Sequence, residues 1–220
     1  MTSQLAEPAG QISPDQLTIV PANEASWADL QAIFGRTGYP GRCYCQDYKI
    51  RDKDSRSVSE QRRRDRLRQQ TGCGNPLAKA STGLVAYLDD APPDRIPVGW
   101  VAVEPRIAYQ RLLWTRTVWA GRDEDKDDDG VWAVTCFVTR TGYRKRGITY
   151  ALAAATIGYA RDQGAAAVEG YPMIPQPGKE VTWGELHVGS RQVFAAAGFT
   201  EVSRPSLRRA VMRVDFAGPG

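Results

Sequence analysis

An unbroken apolar run, Val131 to Val138, ends in a short basic turn carrying Gly142 and Gly147, and a helical pattern begins at once. Ile148, Ala151, Leu152 and Ala155 fall on one face of that helix. A buried strand turned straight into a helix delivers several main-chain N–H groups to the helix start. There the unpaired donors and the positive dipole end favour an anion. Arg144, Lys145 and Arg146 add charge suited to phosphate, and the glycines let the main chain approach a ligand closely. Neither the Gly-x-x-x-x-Gly-Lys-Ser/Thr of a Walker A loop nor the Gly-x-Gly-x-x-Gly of dinucleotide folds is present.

Arg144-Lys145-Arg146-Gly147-Ile148-Thr149 resembles the Arg/Gln-x-x-Gly-x-Gly/Ala signature of the GCN5-related N-acetyltransferases. That resemblance implies that the turn holds the pyrophosphate of acetyl-CoA on the main chain of Arg144 to Thr149. It also implies that the pantetheine arm pairs along Phe137, Val138 and Thr139. Thr149 stands where Gly or Ala is usual, and Val138 lies one residue further from Arg144 than in the common pattern. A second segment, His187-x-x-Ser190-x-x-Val193-Phe194 through Gly198-Phe199, is similar to the family's Asn-x-x-Ala/Ser-x-x-Leu-Tyr-x-x-x-Gly-Phe. It adds Ser190 to the cofactor-binding residues.

At 220 residues, 42% hydrophobic and 25% charged, the chain can bury a sizeable core. No apolar run reaches the roughly 18 residues of a membrane span, and no signal-peptide pattern opens the chain, so a cytoplasmic protein is expected. In that setting Cys43, Cys45, Cys73 and Cys136 are expected as free thiols. Cys-x-Cys is not a usual zinc spacing. Asp125, Asp127, Asp129 and Gly130 imitate half an EF-hand loop, but its twelfth position is Cys136 instead of Glu. No metal site is therefore expected.

Met1 to Asp15 is polar with Pro8, Gly10 and Pro14, which predicts a disordered lead-in before one domain over residues 16–217. Leu17–Val20 reads as a strand, and Asn23 or Ser26 as the cap of a helix presenting Trp27, Leu30, Ile33 and Phe34. Gly35 to Cys45 is a loop suited to walling a substrate. Ser57 to Gln70 reads as a basic helix with Ser57 and Glu60 as capping box. Its arginines, Arg62 to Arg68, lack interleaved aromatics, so a solvated face is favoured over a nucleic-acid contact. Two strands, Leu84–Leu88 and Val98–Val103, precede a long excursion from Glu104 to Gly130 whose acidic end is expected to be a solvated, mobile loop. Strands at Ala165–Gly170, Phe199–Val202 and Ala210–Phe216 and a helix at Ser190–Ala197 follow. The pattern is α/β, and the family resemblance implies a mixed, mostly antiparallel central sheet flanked by helices.

Acetyl transfer from a thioester needs an unprotonated amine, a polarised carbonyl and a proton for the departing thiolate. The resemblance implies a Tyr in the last helix for that proton, and the position is Phe194. Trp132 to Val138 carries no carboxylate. Glu169 and Tyr171, two apart on one strand, and His187 ahead of the last helix are the substitute catalytic candidates, with Glu104 a further acid. Two readings stand: an acetyl-CoA-dependent N-acetyltransferase acting on a small-molecule or peptide amine in a ternary complex, or an acyl-CoA-binding module without catalysis.

Overall fold

The computed structural model describes residues 10–35, 38–51, 57–78, 81–91, 94–176, 178 and 181–216. One seven-stranded sheet organises them, in the order β1-β2-β3-β4-β5-β7-β6. The strands are β1 (Leu17–Pro21), β2 (Leu84–Ala91), β3 (Asp94–Pro105), β4 (Val131–Thr139), β5 (Ala167–Gly170), β6 (Thr200–Ser206) and β7 (Arg209–Asp215). Only β4 and β5 run parallel; the other neighbours are antiparallel. The mixed, mostly antiparallel sheet expected from the resemblance is therefore present.

The helices are α1 (Trp27–Phe34), α2 (Gly38–Cys43), α3 (Glu60–Thr71), α4 (Gln110–Trp114), α5 (Arg116–Trp119), α6 (Ile148–Asp162), α7 (Trp183–Leu186) and α8 (Arg191–Ala196). Helix α1 starts at Ser26, whose side chain accepts from Asp29 N–H while Asp29 returns a bond to Ser26 N–H. Asn23, the other candidate cap, is buried and donates to the carbonyls of Asn75 and Pro76. Ser59, not Ser57, caps α3 by accepting from Arg62 N–H at 3.2 Å. The excursion after β3 folds into α4 and α5 and buries Arg106 completely.

Layers form on both sides of the sheet. On one, Ile148 and Leu152 of α6 pack with Val101, Val134, Phe137 and Phe194. Helix α6 lies close because Gly99 has no side chain: a Cβ there would come within 2.7 Å of Ile148 Cγ2. On the other, Leu30, Ile33 and Phe34 of α1 and Leu67 of α3 cover Trp100, Cys136 and Val138. Covered on both faces, β4 is buried from Val131 to Val138, which is why it reads as a continuous apolar run. Among the described residues no helix is long and apolar enough to cross a membrane.

The lead-in expected to be disordered through Asp15 is anchored at Ile12 and otherwise exposed from Gly10 onward, and residues 1–9 lie outside the described residues. Ile12 is 5% exposed and belongs to the α6-side core, and Pro14–Gln16 forms a 3-10 turn leading into β1. A single anchoring apolar side chain overrides a polar, proline-bearing composition here.

Candidate active site

The β4–α6 turn is built around three residues with positive φ. Gly142 (93°) and Gly147 (90°) adopt it freely, while Lys145 (61°) does so against the preference of an L side chain. Gly147 is the cap residue of α6 and offers no side chain to the first helical N–H groups. The main-chain N–H groups of Lys145, Arg146, Gly147, Ile148 and Thr149 meet no acceptor among the described residues. Tyr143 N–H closes the turn onto Arg140 O at 3.0 Å, and the Arg140 and Arg146 guanidiniums both lie near the Tyr143 ring. Arg144 Nε reaches Thr139 O at 3.5 Å. The turn's opposite side is covered by the N-terminal segment: Ile12 N–H donates to Arg146 O at 2.9 Å, and Gln11 Nε2 to Lys145 O at 3.4 Å. Those contacts use carbonyls and leave the donors alone.

Beyond the turn, β4 and β5 pair only from Val131 to Val134, and β4 then runs on without its parallel neighbour. At that point β4 bulges: Val134 faces Val103 and Cys136 faces Ala102, so Thr135 is the extra residue. A bulge leaves main-chain groups unpaired and re-aims side chains, and it swaps which face Phe137 presents.

The opening between the strands is lined by the segment before α8. Phe137 N–H donates to His187 O at 2.6 Å, and Met173 N–H to Gly189 O at 2.9 Å. Phe194 is fully buried and stands edge-on to Phe137, with ring centroids 5.7 Å apart. Its ring fills the space a Cβ on Gly170 would occupy. The strand edge expected to carry the pantetheine is thus narrower than Phe137 to Thr139. Arg140 N–H bonds Val98 O, so by two-residue alternation Val138 also faces β3, opposite Trp100. Phe137 keeps its carbonyl and Thr139 its N–H on the open edge. Ser190 caps α8, its hydroxyl accepting from Val193 N–H at 3.4 Å.

His187 is half-buried near the rings of Tyr39 and Tyr48, with centroids 6.0 and 6.1 Å away. Nδ1 lies 2.6 Å from Gly184 O. A carbonyl only accepts, so Nδ1 carries the hydrogen and neutral imidazole keeps its lone pair on Nε2. Burial lowers the His187 pKa below 6.5, with Arg209 and Arg111 acting in the same direction. Burial likewise raises the Tyr48 hydroxyl, keeping it protonated at neutral pH. Tyr48 went unremarked in the sequence, being one aromatic in an irregular segment. It is positioned by Arg111 N–H, which bonds its carbonyl at 2.9 Å.

Glu169 and Tyr171 are brought together, but inside a closed ion cluster. Glu169 is wholly buried; Arg122 Nη2 lies 2.5 Å and Arg213 Nη1 3.0 Å from one oxygen, Arg106 Nη1 3.4 Å from the other. Tyr171 donates its hydroxyl to Glu169 at 2.8 Å, and burial raises that phenol well above its ordinary range. Glu124, from the stretch expected to be mobile, joins the same arginines. Burial works against its ionised form, yet Arg122 and its neighbours lower its carboxyl overall. A carboxylate holding three guanidiniums and a phenol has no lone pair to spare for an amine proton. Glu104 is tied at 2.5 Å to Lys49. Cys136 is buried, and a hydrogen bond with Cys45 together with burial raises its thiol, so it is no nucleophile near neutral pH. An open concavity of about 410 Å³ at the end of α3, lined by Asp65, Arg68 and Asn75, contains none of these residues.

Among solved structures, a GCN5-related N-acetyltransferase from Kribbella flavida aligns over 93% of this chain and 100% of its own, with TM-score 0.51 and 16% identity. The fold is that of the GCN5-related N-acetyltransferases. An acetyltransferase of the same family from Bacillus anthracis aligns over 93% of this chain and 97% of its own, at TM-score 0.49 and 12% identity. No family model and no curated protein matches the sequence. At such identity the likeness extends to the fold; in that GCN5-related fold the bulge on the β3 side, the parting from β5 on the other and the donor-rich turn follow one another along the C-terminal half of β4.

Proposed function

We propose that the protein is an acetyl-CoA-dependent N-acetyltransferase that passes the acetyl group directly to a primary amine in a ternary complex. The observation that carries this reading is the row of unpaired N–H groups from Lys145 to Thr149 at the start of α6, in a fold of that family. Those groups and the Arg144 and Lys145 side chains hold the diphosphate. The pantetheine follows the Phe137 carbonyl and the Thr139 N–H toward the bulge. There the thioester oxygen, as it gains charge, meets main-chain groups that the bulge leaves unpaired.

His187 is the base. Its Nε2 takes a proton from the amine as nitrogen attacks the thioester carbon; the C–S bond then breaks and the amide forms. Tyr48, kept protonated by burial, returns a proton to the thiolate. Tyr171 is set aside for that step because its proton is committed to Glu169. The acceptor, a small molecule or a peptide amine, enters past Tyr39 and Tyr48. Nucleic acid is the weaker reading of the basic face of α3, since Arg64 and Arg68 lie near the Trp27 ring and Arg63 pairs with Asp47 at 2.9 Å.

Calorimetry with acetyl-CoA and thiol release with a panel of primary amines test this directly. Micromolar binding with amine-dependent thiol release is expected. Binding without turnover against any amine would leave an acyl-CoA-binding module, and absence of binding would remove the reading altogether.

A further inference from the structure

The segment Gly10–Gln16 hydrogen-bonds to the back of the β4–α6 turn. Ile12 N–H donates to Arg146 O at 2.9 Å, Gln11 Nε2 to Lys145 O at 3.4 Å, and Arg146 Nε to Gly10 O at 2.9 Å. Ile12 is 5% exposed, buried with the α6-side core, so the segment is anchored and not merely resting there. Gln16 accepts from Ser13 N–H at 3.0 Å and locks the 3-10 turn that follows.

In a trans peptide the carbonyl and the next residue's N–H point in opposite directions. The carbonyl of Lys145 shares its plane with the N–H of Arg146, and the carbonyl of Arg146 with the N–H of Gly147. Holding both carbonyls against the N-terminal segment therefore aims both N–H groups away from it, toward the outer side of the turn. The restraint matters because the turn is intrinsically soft: Gly147 has φ 90°, and Lys145 sits at 61°, where an L residue is disfavoured. The space beside Gly147 is also filled by this segment, with Gln11 Oε1 3.1 Å from where a Cβ would stand.

We propose that Gln11 and Ile12 form a strap that pre-orients the Arg146 and Gly147 N–H groups for a diphosphate, so that affinity for CoA depends on residues outside the sheet. This rests on the reading of the turn as the diphosphate seat. The strap is a positioning element: it touches the turn and not the ligand. Pre-organisation of this kind acts on binding by removing the cost of ordering the donors.

The test compares three ligands on the full chain, on a chain lacking residues 2–13, and on Gln11→Ala. The ligands are acetyl-CoA and ADP, which carry a diphosphate, and S-acetylpantetheine, which does not. The truncation is expected to weaken acetyl-CoA and ADP about ten-fold or more, and Gln11→Ala about three-fold, the range for one or two hydrogen bonds. S-acetylpantetheine affinity should stay within two-fold, roughly the noise of such a comparison, whereas a general loss of structure would weaken all three alike. Unchanged or tighter diphosphate binding in both variants, or equal weakening of all three ligands, overturns the strap. If the truncation does not fold, Gln11→Ala decides alone. A full chain that binds neither acetyl-CoA nor ADP overturns the seat itself, a result distinguishable from failure of the strap.

Discussion

Two polar centres sit on the same sheet and are built on opposite terms. Around Glu169, a buried carboxylate is met by Arg106, Arg122, Arg213 and Tyr171, and the surrounding charges of Glu124 and Asp215 complete the set. At the β4–α6 turn, the donors from Lys145 to Thr149 are presented without an acceptor among the described residues. A cluster whose carboxylate is saturated by its own neighbours holds a fold together, even with Arg106 Nε and Arg122 Nη1 buried and unpaired. One that is left unsatisfied, on a strained and glycine-bearing backbone, is shaped for something outside the chain. The contrast overrides the sequence-level attraction of Glu169 as a base, since proximity to the sheet says nothing about whether an oxygen is free.

Removing the carboxylate gives the largest expected effect. Glu169→Ala should cost about 3–5 kcal/mol of stability, because it removes the buried counter-charge of Arg106, Arg122 and Arg213 and leaves them to the more exposed Glu124 and Asp215. Denaturant unfolding measures it, and a change below about 1 kcal/mol would mean that the cluster is wetter than its burial indicates. At the other centre, Gly147→Asp should leave stability closer to wild type and weaken acetyl-CoA at least about 100-fold, roughly 2.7 kcal/mol. The added side chain points at Gln11 and Ile12 and displaces the segment that orients the turn, its negative charge lies beside the diphosphate seat, and φ 90° is unfavourable for any side chain. Calorimetry reads the loss; unchanged affinity would place the ligand elsewhere and dissolve the comparison.

The legible parts of the molecule are those whose signals are local. The apolar run of β4, the glycines at 142 and 147, and the Ile148–Leu152 face each follow from residues within one or two turns of chain. So the strand, the turn and the helix were all readable in the sequence. The Glu169 cluster was not, because Arg106, Arg122 and Arg213 arrive from the end of β3, the acidic stretch and β7 with no spacing that links them. The strap was hidden for a different reason: averaged composition from Met1 to Asp15 looks disordered, and Ile12 alone contradicts it. Thr135 gave no sign of a bulge, since register belongs to two strands and is invisible in either one. The helix cap illustrates the scale of the uncertainty. Ser57 and Glu60 fit a capping-box pattern, yet Ser59 sits immediately before the first helical residue and takes the role.

His187 sharpens the comparison from the side of chemistry. It belongs to the unsatisfied class: its Nδ1 is fixed by Gly184 O, and its Nε2 has no partner among the described residues. His187→Gln should lower kcat/KM about 100-fold, within the span for general-base catalysis. In the wild type, burial puts the imidazole below 6.5, so activity should hold as pH falls to about 6.5 and drop only below it. The variant should lose that acid limb. The limb surviving in His187→Gln would assign the base to another group.

The smallest effect belongs to a surface pair that has partners but little burial. Glu201 is held by Arg204 and Arg191 at 2.7 and 2.8 Å, and the bonds to these arginines lower its carboxyl to about 2 from 4.5. A depressed carboxyl stabilises the fold fully above about 4.5, and the contribution is lost as pH falls through about 2. Solvent screens such a pair, so Glu201→Gln should cost only about 0.2–1 kcal/mol near neutral pH and nothing below pH 2. Adding salt should shrink the difference further, whereas the Glu169→Ala penalty should barely respond to it. Partners alone do not set the size of an electrostatic contribution; exclusion of water does. Were the two penalties equally sensitive to salt, the Glu169 cluster would have to be reached by solvent, and its distinction from the open turn would rest on geometry alone.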